Sequence, residues 1–376
     1  MKESSFDTIN LLTDAVFQIS WDLGRRCNYD CSYCPPHRHD NFSRHATFDE
    51  LKSSVDFVLK YADLYNTYRN YKEVAIGVTG GEPTVNPYFI DFFKYLRAKY
   101  EENYKDKYAC FFNVTSNGAV NKNMVSSITK YVDHITVSYH TEATKQTKER
   151  VKENILKFKD KMSVNVNVMF HAEYFDECIE VCDYLKKHEV TFVPRIIGEE
   201  KVSKSLYAHK YTSEQLSWMK EFWGIKGPAV DDEKEKKQTG SNIGRPCCGS
   251  KNMCLSKGSV SRETKFVDYR EFKGWHCSVN WFFMHIEQQT DNVFHHQTCQ
   301  ATFEQSRGPI CRLSKGHKFL KILEGKLKNN TLPYVVCSKD VCGCGLCAPK
   351  SLYKDKFKEV FSEHSNYMVK KYDTKI

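Results

Sequence analysis

A rhythm in the first 200 residues limits most strongly what this chain can become. Six short runs rich in β-branched and aromatic residues occupy 16–21, 74–78, 109–114, 134–139, 163–170 and 190–197. Stretches with helical periodicity lie between them. One opens with Thr47-x-x-Glu50, a capping-box pattern, and places Leu51, Val55, Val58 and Ala62 on one face. Another carries Phe89, Phe92, Phe93 and Leu96; 141–161 is charged with sparse apolar positions; 175–185 sets Cys178 and Cys182 one turn apart. Strand and helix in strict alternation predict a parallel sheet with right-handed crossovers. Six units are too few for a closed eight-stranded barrel. They predict an α/β fold, a partial (β/α)6 TIM-like barrel, with chemistry at the C-terminal ends of its strands.

Beyond about residue 200 the rhythm stops. The run 231–237 is almost wholly charged and reads as an exposed linker. The expected organisation is a core barrel over 1–205, a linker region over 206–250, a cysteine-rich domain over 251–350 and a C-terminal helix or tail over 351–376. The chain has 16 Cys in 376 residues, and ten of them fall between 247 and 347. Glu3, Asp7 and Asp14 interrupt the apolar run a secretory signal needs, and no 18-residue apolar stretch exists. A cytoplasmic protein with no membrane partner is therefore expected, and in a reducing compartment such cysteines point to metal rather than disulfides. The net charge of +9 is modest for this length and scattered, which reads first as a solvated surface and second as attraction to RNA or an acidic substrate.

Three cysteines, Cys27, Cys31 and Cys34, form C-x3-C-x2-C directly after the first strand. Three thiolates on one loop hold three irons of a 4Fe–4S cube and leave the fourth open to chelate a ligand. A zinc site completed by His37 or His39 is the alternative reading of the spacing. After the second strand comes Thr79-Gly80-Gly81-Glu82-Pro83. Its glycines allow close approach of backbone to a ligand, and Glu82 offers a charge-assisted acceptor.

Together these residues resemble the signatures of the radical S-adenosylmethionine (SAM) enzymes: the three-cysteine loop with an aromatic, Tyr33, before its last Cys, and the GGEP motif at Gly80, Gly81, Glu82 and Pro83. The resemblance covers roughly residues 15–200 and implies the same partial barrel. It implies that Cys27, Cys31 and Cys34 ligate a 4Fe–4S cluster. It also implies that Tyr33, Gly80–Pro83, Ser116, Asn117 and Ser138 contact SAM. Arg195 is a weaker candidate, for pairing with a carboxylate.

Downstream, Cys277 and Cys299 flank a region that alternates apolar and polar residues around Gln288-Gln-Thr-Asp-Asn292, the pattern of a β-hairpin. Cys337, Cys342, Cys344 and Cys347 follow. This resembles the SPASM/twitch extension of radical SAM enzymes, a small α+β domain that holds an auxiliary 4Fe–4S cluster. Asp291 or Asn292 stands where that pattern has Gly, and both types adopt left-handed turns. The seven-cysteine SPASM pattern does not align, so a one-cluster, twitch-like module fits better. Its ligands would be Cys277, Cys299 and two of Cys337, Cys342, Cys344 and Cys347. Cys247, Cys248, Cys254 and Cys311 stay unassigned between a second auxiliary cluster, a zinc site and buried thiols. Cys110, Cys178 and Cys182 read as core.

The resemblance implies reductive cleavage of SAM to a 5′-deoxyadenosyl radical that takes a hydrogen atom from a substrate. The electron would come from a donor such as flavodoxin or ferredoxin. Peptide modification ranks first; sugars or aminoglycosides and nucleotide or RNA substrates follow. The rival is a non-enzymatic, zinc-rich nucleic-acid-binding protein.

Overall fold

The computed structural model describes residues 8–9, 16–34, 38–197, 211–222, 273–281, 283–294, 309–329, 335–337, 350–351 and 353. The calls made on Cys247, Cys248, Cys254, Cys299, Cys342, Cys344 and Cys347, and on most of the linker and C-terminal tail, lie outside them; within the expected linker over 206–250, Ser213–Phe222 is instead a helix whose Trp218 packs on Phe170 and Phe175.

The six runs become β1 (Phe17–Asp22), β2 (Glu73–Thr79), β3 (Ala109–Ser116), β4 (His134–His140), β5 (Ser163–Phe170) and β6 (Thr191–Ile196), all parallel and paired in sequence order. Each of the five connections passes through a helix, in chain order α1 (Phe48–Arg69), α2 (Phe89–Asn103), α3 (Lys122–Tyr131), α4 (Lys145–Lys159) and α5 (Phe175–Lys187). Helix α6 (Ser213–Phe222) follows β6. The helix α1 begins as its sequence predicts, with Thr47 and Glu50 forming a reciprocal capping box. It ends at Asn70 in the left-handed region.

Burial alternates along the strands. In β1, Phe17, Ile19 and Trp21 are fully buried under the helices, with Phe17 stacked on Tyr65 and Trp21 edge-on to Phe92. Gln18, Ser20 and Asp22 line the other, inner face. The same parity puts Asn113 and Thr115 of β3, Thr136 and Ser138 of β4, and Asn165 and Asn167 of β5 on that inner face, all half-buried. A sheet with an apolar outer face and a polar inner face encloses a place for a polar ligand rather than a second packed core. Cys110, Cys178 and Cys182 are buried among the apolar residues, as expected for core positions.

The hairpin expected after Cys277 is present: β7 (Phe283–Glu287) and β8 (Asn292–Phe294) pair antiparallel, and Asp291 turns with φ of 60°. Its placement was not foreseen. Assigned by sequence to the cysteine-rich region, it extends the core sheet instead. Strand β7 lies parallel to β1, from Gln18 beside Phe283 to Asp22 beside Glu287, and Cys311–Arg312 adds a further antiparallel strand beyond β8. The last helix among the described residues, α7 (Gly316–Lys328), packs on α1: Phe319 stacks on Tyr61, and Arg69 donates to the carbonyl of Leu327 at 2.9 Å. A second, four-stranded antiparallel sheet joins Thr8–Ile9, Lys350–Ser351, His276–Cys277 and Val335–Val336. No helix among the described residues is long and apolar enough to cross a membrane.

Candidate functional site

The three-cysteine loop leaves the C-terminal end of β1 and is held by its own backbone. Cys27 N–H donates to the carbonyl of Asp40, Asp40 N–H to that of Arg25, and Cys34 N–H to that of Cys31. Tyr29 N–H donates to Cys27 Sγ at 3.4 Å. Such N–H···S bonds stabilise a thiolate and tune any cluster it ligates. Without a metal, burial pushes the Cys27 thiol up and the Cys31 thiol up to about 12. A metal that binds here therefore displaces protons.

The residues fit a cube better than a single ion. His39, a candidate fourth zinc ligand, pairs with Asp30 at 3.2 Å, and His37 lies outside the described residues. Among the described residues no three His, Cys, Asp or Glu side chains gather as one ion requires. A cube takes one thiolate per iron at separated corners, which three thiols on one loop supply.

The GGEP segment abuts this loop, and its glycines give close approach to protein backbone. Gly80 has φ of 144°, and a Cβ on it would lie 2.5 Å from the carbonyl oxygen of Gly24. A Cβ on Gly81 would lie 2.2 Å from the Arg25 oxygen and 2.5 Å from that of Arg26. Gly81 N–H donates to Gly24 and Glu82 N–H to Arg26, both at 2.8 Å. The end of β2 thus forms a backbone brace for the lead-in to the thiol loop. Pro83 starts a short helical turn for which Glu82 is the cap.

Glu82 is 2% exposed and its carboxylate is fully engaged. One oxygen accepts from Thr84 N–H at 3.0 Å and Ser116 Oγ at 2.9 Å; the other accepts from Asn117 N–H at 2.6 Å. Asn117 in turn donates to Asn28 Oδ1, inside the thiol loop, at 2.7 Å. Burial pushes the Glu82 carboxyl up and these donors pull it back. Glu82, Ser116 and Asn117 are thus brought together as a tie from β2 through β3 to the loop. Glu82→Gln should lower stability by about 1–3 kcal/mol, because either orientation of the amide sets an NH2 against the N–H of Thr84 or of Asn117. The denaturation midpoint measures this, and an unchanged midpoint would refute the tie.

Ser138 lies on the opposite, inner face of the sheet, beside Asn167 of β5. Tyr33 stacks on His140 with rings 6.0 Å apart, and its hydroxyl hydrogen-bonds Nδ1 of that ring. His140 Nδ1 also lies 3.5 Å from Cys31 Sγ, and burial pushes His140 down to about 4, so the ring is neutral. Glu142 accepts from Ser32 N–H at 3.0 Å and lies 3.5 Å from His171. His140, Glu142 and His171 were not singled out from the sequence. The signal available was a histidine at the end of a strand beside a motif-bearing one, which is weak without register. Arg195 donates to Asn167 Oδ1 at 3.0 Å, within the inner face rather than at the loop.

Of the auxiliary candidates, Cys277 and Cys337 are described. Cys277 pairs with Val335, and the adjoining Cys337 donates its N–H to Trp275, so the two buried thiols lie on paired chain segments. Cys311 sits in the sheet opposite Val293, and burial pushes it up to about 12.

Comparison with known proteins agrees with this geometry. Residues 21–185 match the family model for the Radical SAM superfamily. No curated protein matches the chain. Two solved structures of native anSMEcpe are similar at 14% identity. The one with bound AdoMet and a Cp18Cys peptide has a TM-score of 0.52 over 95% of this chain and 98% of that one. The one with AdoMet alone has 0.51 over 94% and 97%. Streptococcus suis SuiB gives 0.48, also at 14%, over 84% of this chain and 68% of that one. The two anSMEcpe likenesses concern the fold, and the family match concerns the part of the chain, less than half, that carries the thiol loop and its brace. Residues 21–185 thus resemble the Radical SAM superfamily domain, over somewhat less than half of the chain.

Proposed function

We propose that the chain is a radical SAM enzyme that acts on a peptide, with the SAM-binding 4Fe–4S cluster on Cys27, Cys31 and Cys34 and an auxiliary 4Fe–4S cluster in the C-terminal region. The observation that carries this is the three-thiol loop at the end of β1, braced by Gly80–Glu82 and opening onto a polar inner face. When bound, cluster and SAM supply one-electron cleavage of a carbon–sulfur bond and a hydrogen-abstracting radical. The chain's own residues hold and shield. The backbone brace fixes the loop against β2, and Tyr33 with His140 covers the Cys31 side and excludes water. Ser138 and its inner-face neighbours offer hydrogen bonds to a polar cofactor. The auxiliary cluster would take Cys277 and Cys337 among its ligands, and an external one-electron donor such as flavodoxin or ferredoxin would reduce the first cluster. The peptide class is carried over from the anSMEcpe structure solved with one.

Anaerobic reconstitution should give brown protein whose iron and sulfide content and Mössbauer spectrum count two cubes. Its reduced EPR signal should change on adding SAM, and 5′-deoxyadenosine should form with dithionite. Colourless, air-stable protein containing zinc would refute the reading in favour of a zinc-binding protein.

A further inference from the structure

The hairpin that extends the sheet carries chemistry that the thiol loop does not use. Register sets His285 beside Ser20 and Glu287 beside Asp22, on the inner face. The His285 side chain is 3% exposed, and neither ring nitrogen has a hydrogen-bond partner among the described residues. Asp22 Oδ1 is likewise buried without one. Nε2 of His285 lies 3.9 Å from Asp22 Oδ2 and 3.9 Å from Glu287 Oε1, too far for a direct bond. One N–H-bearing group, about 2.9 Å from each, bridges acceptors spaced like this. Phe294 stacks on the imidazole, and Thr290 holds the other Glu287 oxygen at 2.7 Å.

The cluster is open to a ligand and close to the reactive end of the barrel. The Asp22 side chain is 26% exposed and that of Glu287 38%. Asp22 ends β1, five positions before Cys27. The turn after β7 is locked to that same segment: Gln288 N–H donates to the Asp22 carbonyl at 2.9 Å, Trp21 Nε1 to Gln288 Oε1 at 3.2 Å, and Arg25 N–H to Gln289 Oε1 at 3.0 Å.

We infer that Asp22, Glu287 and His285 form a recognition site for a cationic group of the substrate, a guanidinium or ammonium such as an Arg or Lys side chain provides. It names a feature of the substrate proposed above and rests on that reading for its purpose, but not for its test. The charge balance supports it. His285 is pushed down to about 4, by burial first and then by Arg38, against a raising effect of the Ser20 backbone, so it does not act as counter-cation to the two carboxylates. Asp22 is pushed up to about 6, by burial first, while Arg38 pulls it down and Glu287 raises it. Among the described residues, these are the charged groups that shift the two. Above about pH 6 two carboxylates face one guanidinium, an excess of one negative charge that a bound cation neutralises. Because the cation needs Asp22 ionised, affinity should be flat above that pH and fall about tenfold per unit well below it.

The test uses the full reconstituted chain with n-butylguanidinium, n-butylammonium and, as neutral control, n-butylurea at constant ionic strength. The ring signal of His285 in 13C-histidine-labelled protein, assigned by loss in His285→Gln, reports binding. It should shift saturably with the two cations and not with the urea. Asp22→Asn should weaken cation binding at least tenfold, and Glu287→Gln should do so if Asp22→Asn fails to fold. Equal binding of the urea, a His285 signal unmoved by all three probes, or full affinity in the folded variants would overturn the proposal. Binding of cations by protein that makes no 5′-deoxyadenosine would count against the enzyme reading alone.

Discussion

Replacing Cys31 with alanine is expected to abolish 5′-deoxyadenosine formation and to remove about one cluster's worth of iron, about four atoms per chain, while iron of the proposed auxiliary cluster should stay. The size of the effect follows from the donor set. On the proposed assignment each of three thiolates would hold one iron, and the fourth corner would be the one left for a substrate-type ligand. Two thiolates leave two corners open and a cluster that is lost or rearranged. Cys31 is also the thiol nearest His140, 3.5 Å from Nδ1, so the vacancy would open beneath the Tyr33–His140 stack. Iron analysis and product chromatography on anaerobically prepared protein decide the matter. Wild-type product yield from the variant would refute the assignment of the loop.

Gly81→Ala should be the most damaging single methyl group in the barrel. Its Cβ would stand 2.2 Å from one backbone oxygen and 2.5 Å from the next, and neither can swing aside as a side chain does. To admit it, the lead-in to the thiol loop must move away from β2 and break the 2.8 Å bonds from Gly81 to Gly24 and from Glu82 to Arg26. The expected loss is on the order of 3 kcal/mol, with iron retention falling in parallel. Unfolding midpoints and iron content of the same preparations would show both. A variant that loses neither would mean that the loop tolerates displacement.

The six parallel strands were legible because each is a short β-branched run whose outward residues must be buried, and that pattern is local. Phe17, Ile19 and Trp21 announce β1 without reference to anything else in the chain. The thiol loop and the GGEP segment were legible as motifs, but the backbone packing of the glycines was not. Only coordinates show that the atoms pressed against Gly81 belong to Arg25 and Arg26. Glu82 reads as a ligand-facing acid in isolation, and its engagement by Ser116 and Asn117 appears only once β2 and β3 are in register. The cation-site residues were invisible for a related reason. Nothing local in Phe-Met-His-Ile-Glu tells whether its strand adds to a small cysteine-bearing module or to the edge of the main sheet. Helix α7 had a readable stripe, Phe319, Leu323 and Leu327, masked by the lysines between them.

Strand β1 is finished early in synthesis, but the segment that covers its outer edge comes much later; the Arg25–Gln289 bond joins residues 264 apart. Until the distal segment emerges from the ribosome, the nascent barrel presents a bare rim of amides and carbonyls, a template for pairing with another chain. Maturation therefore has a built-in order, in which the thiol loop acquires this support only after the segment around Gln289 has been made. A chain cut short before that segment would be prone to self-association, and metallation would be best deferred until the segment has paired.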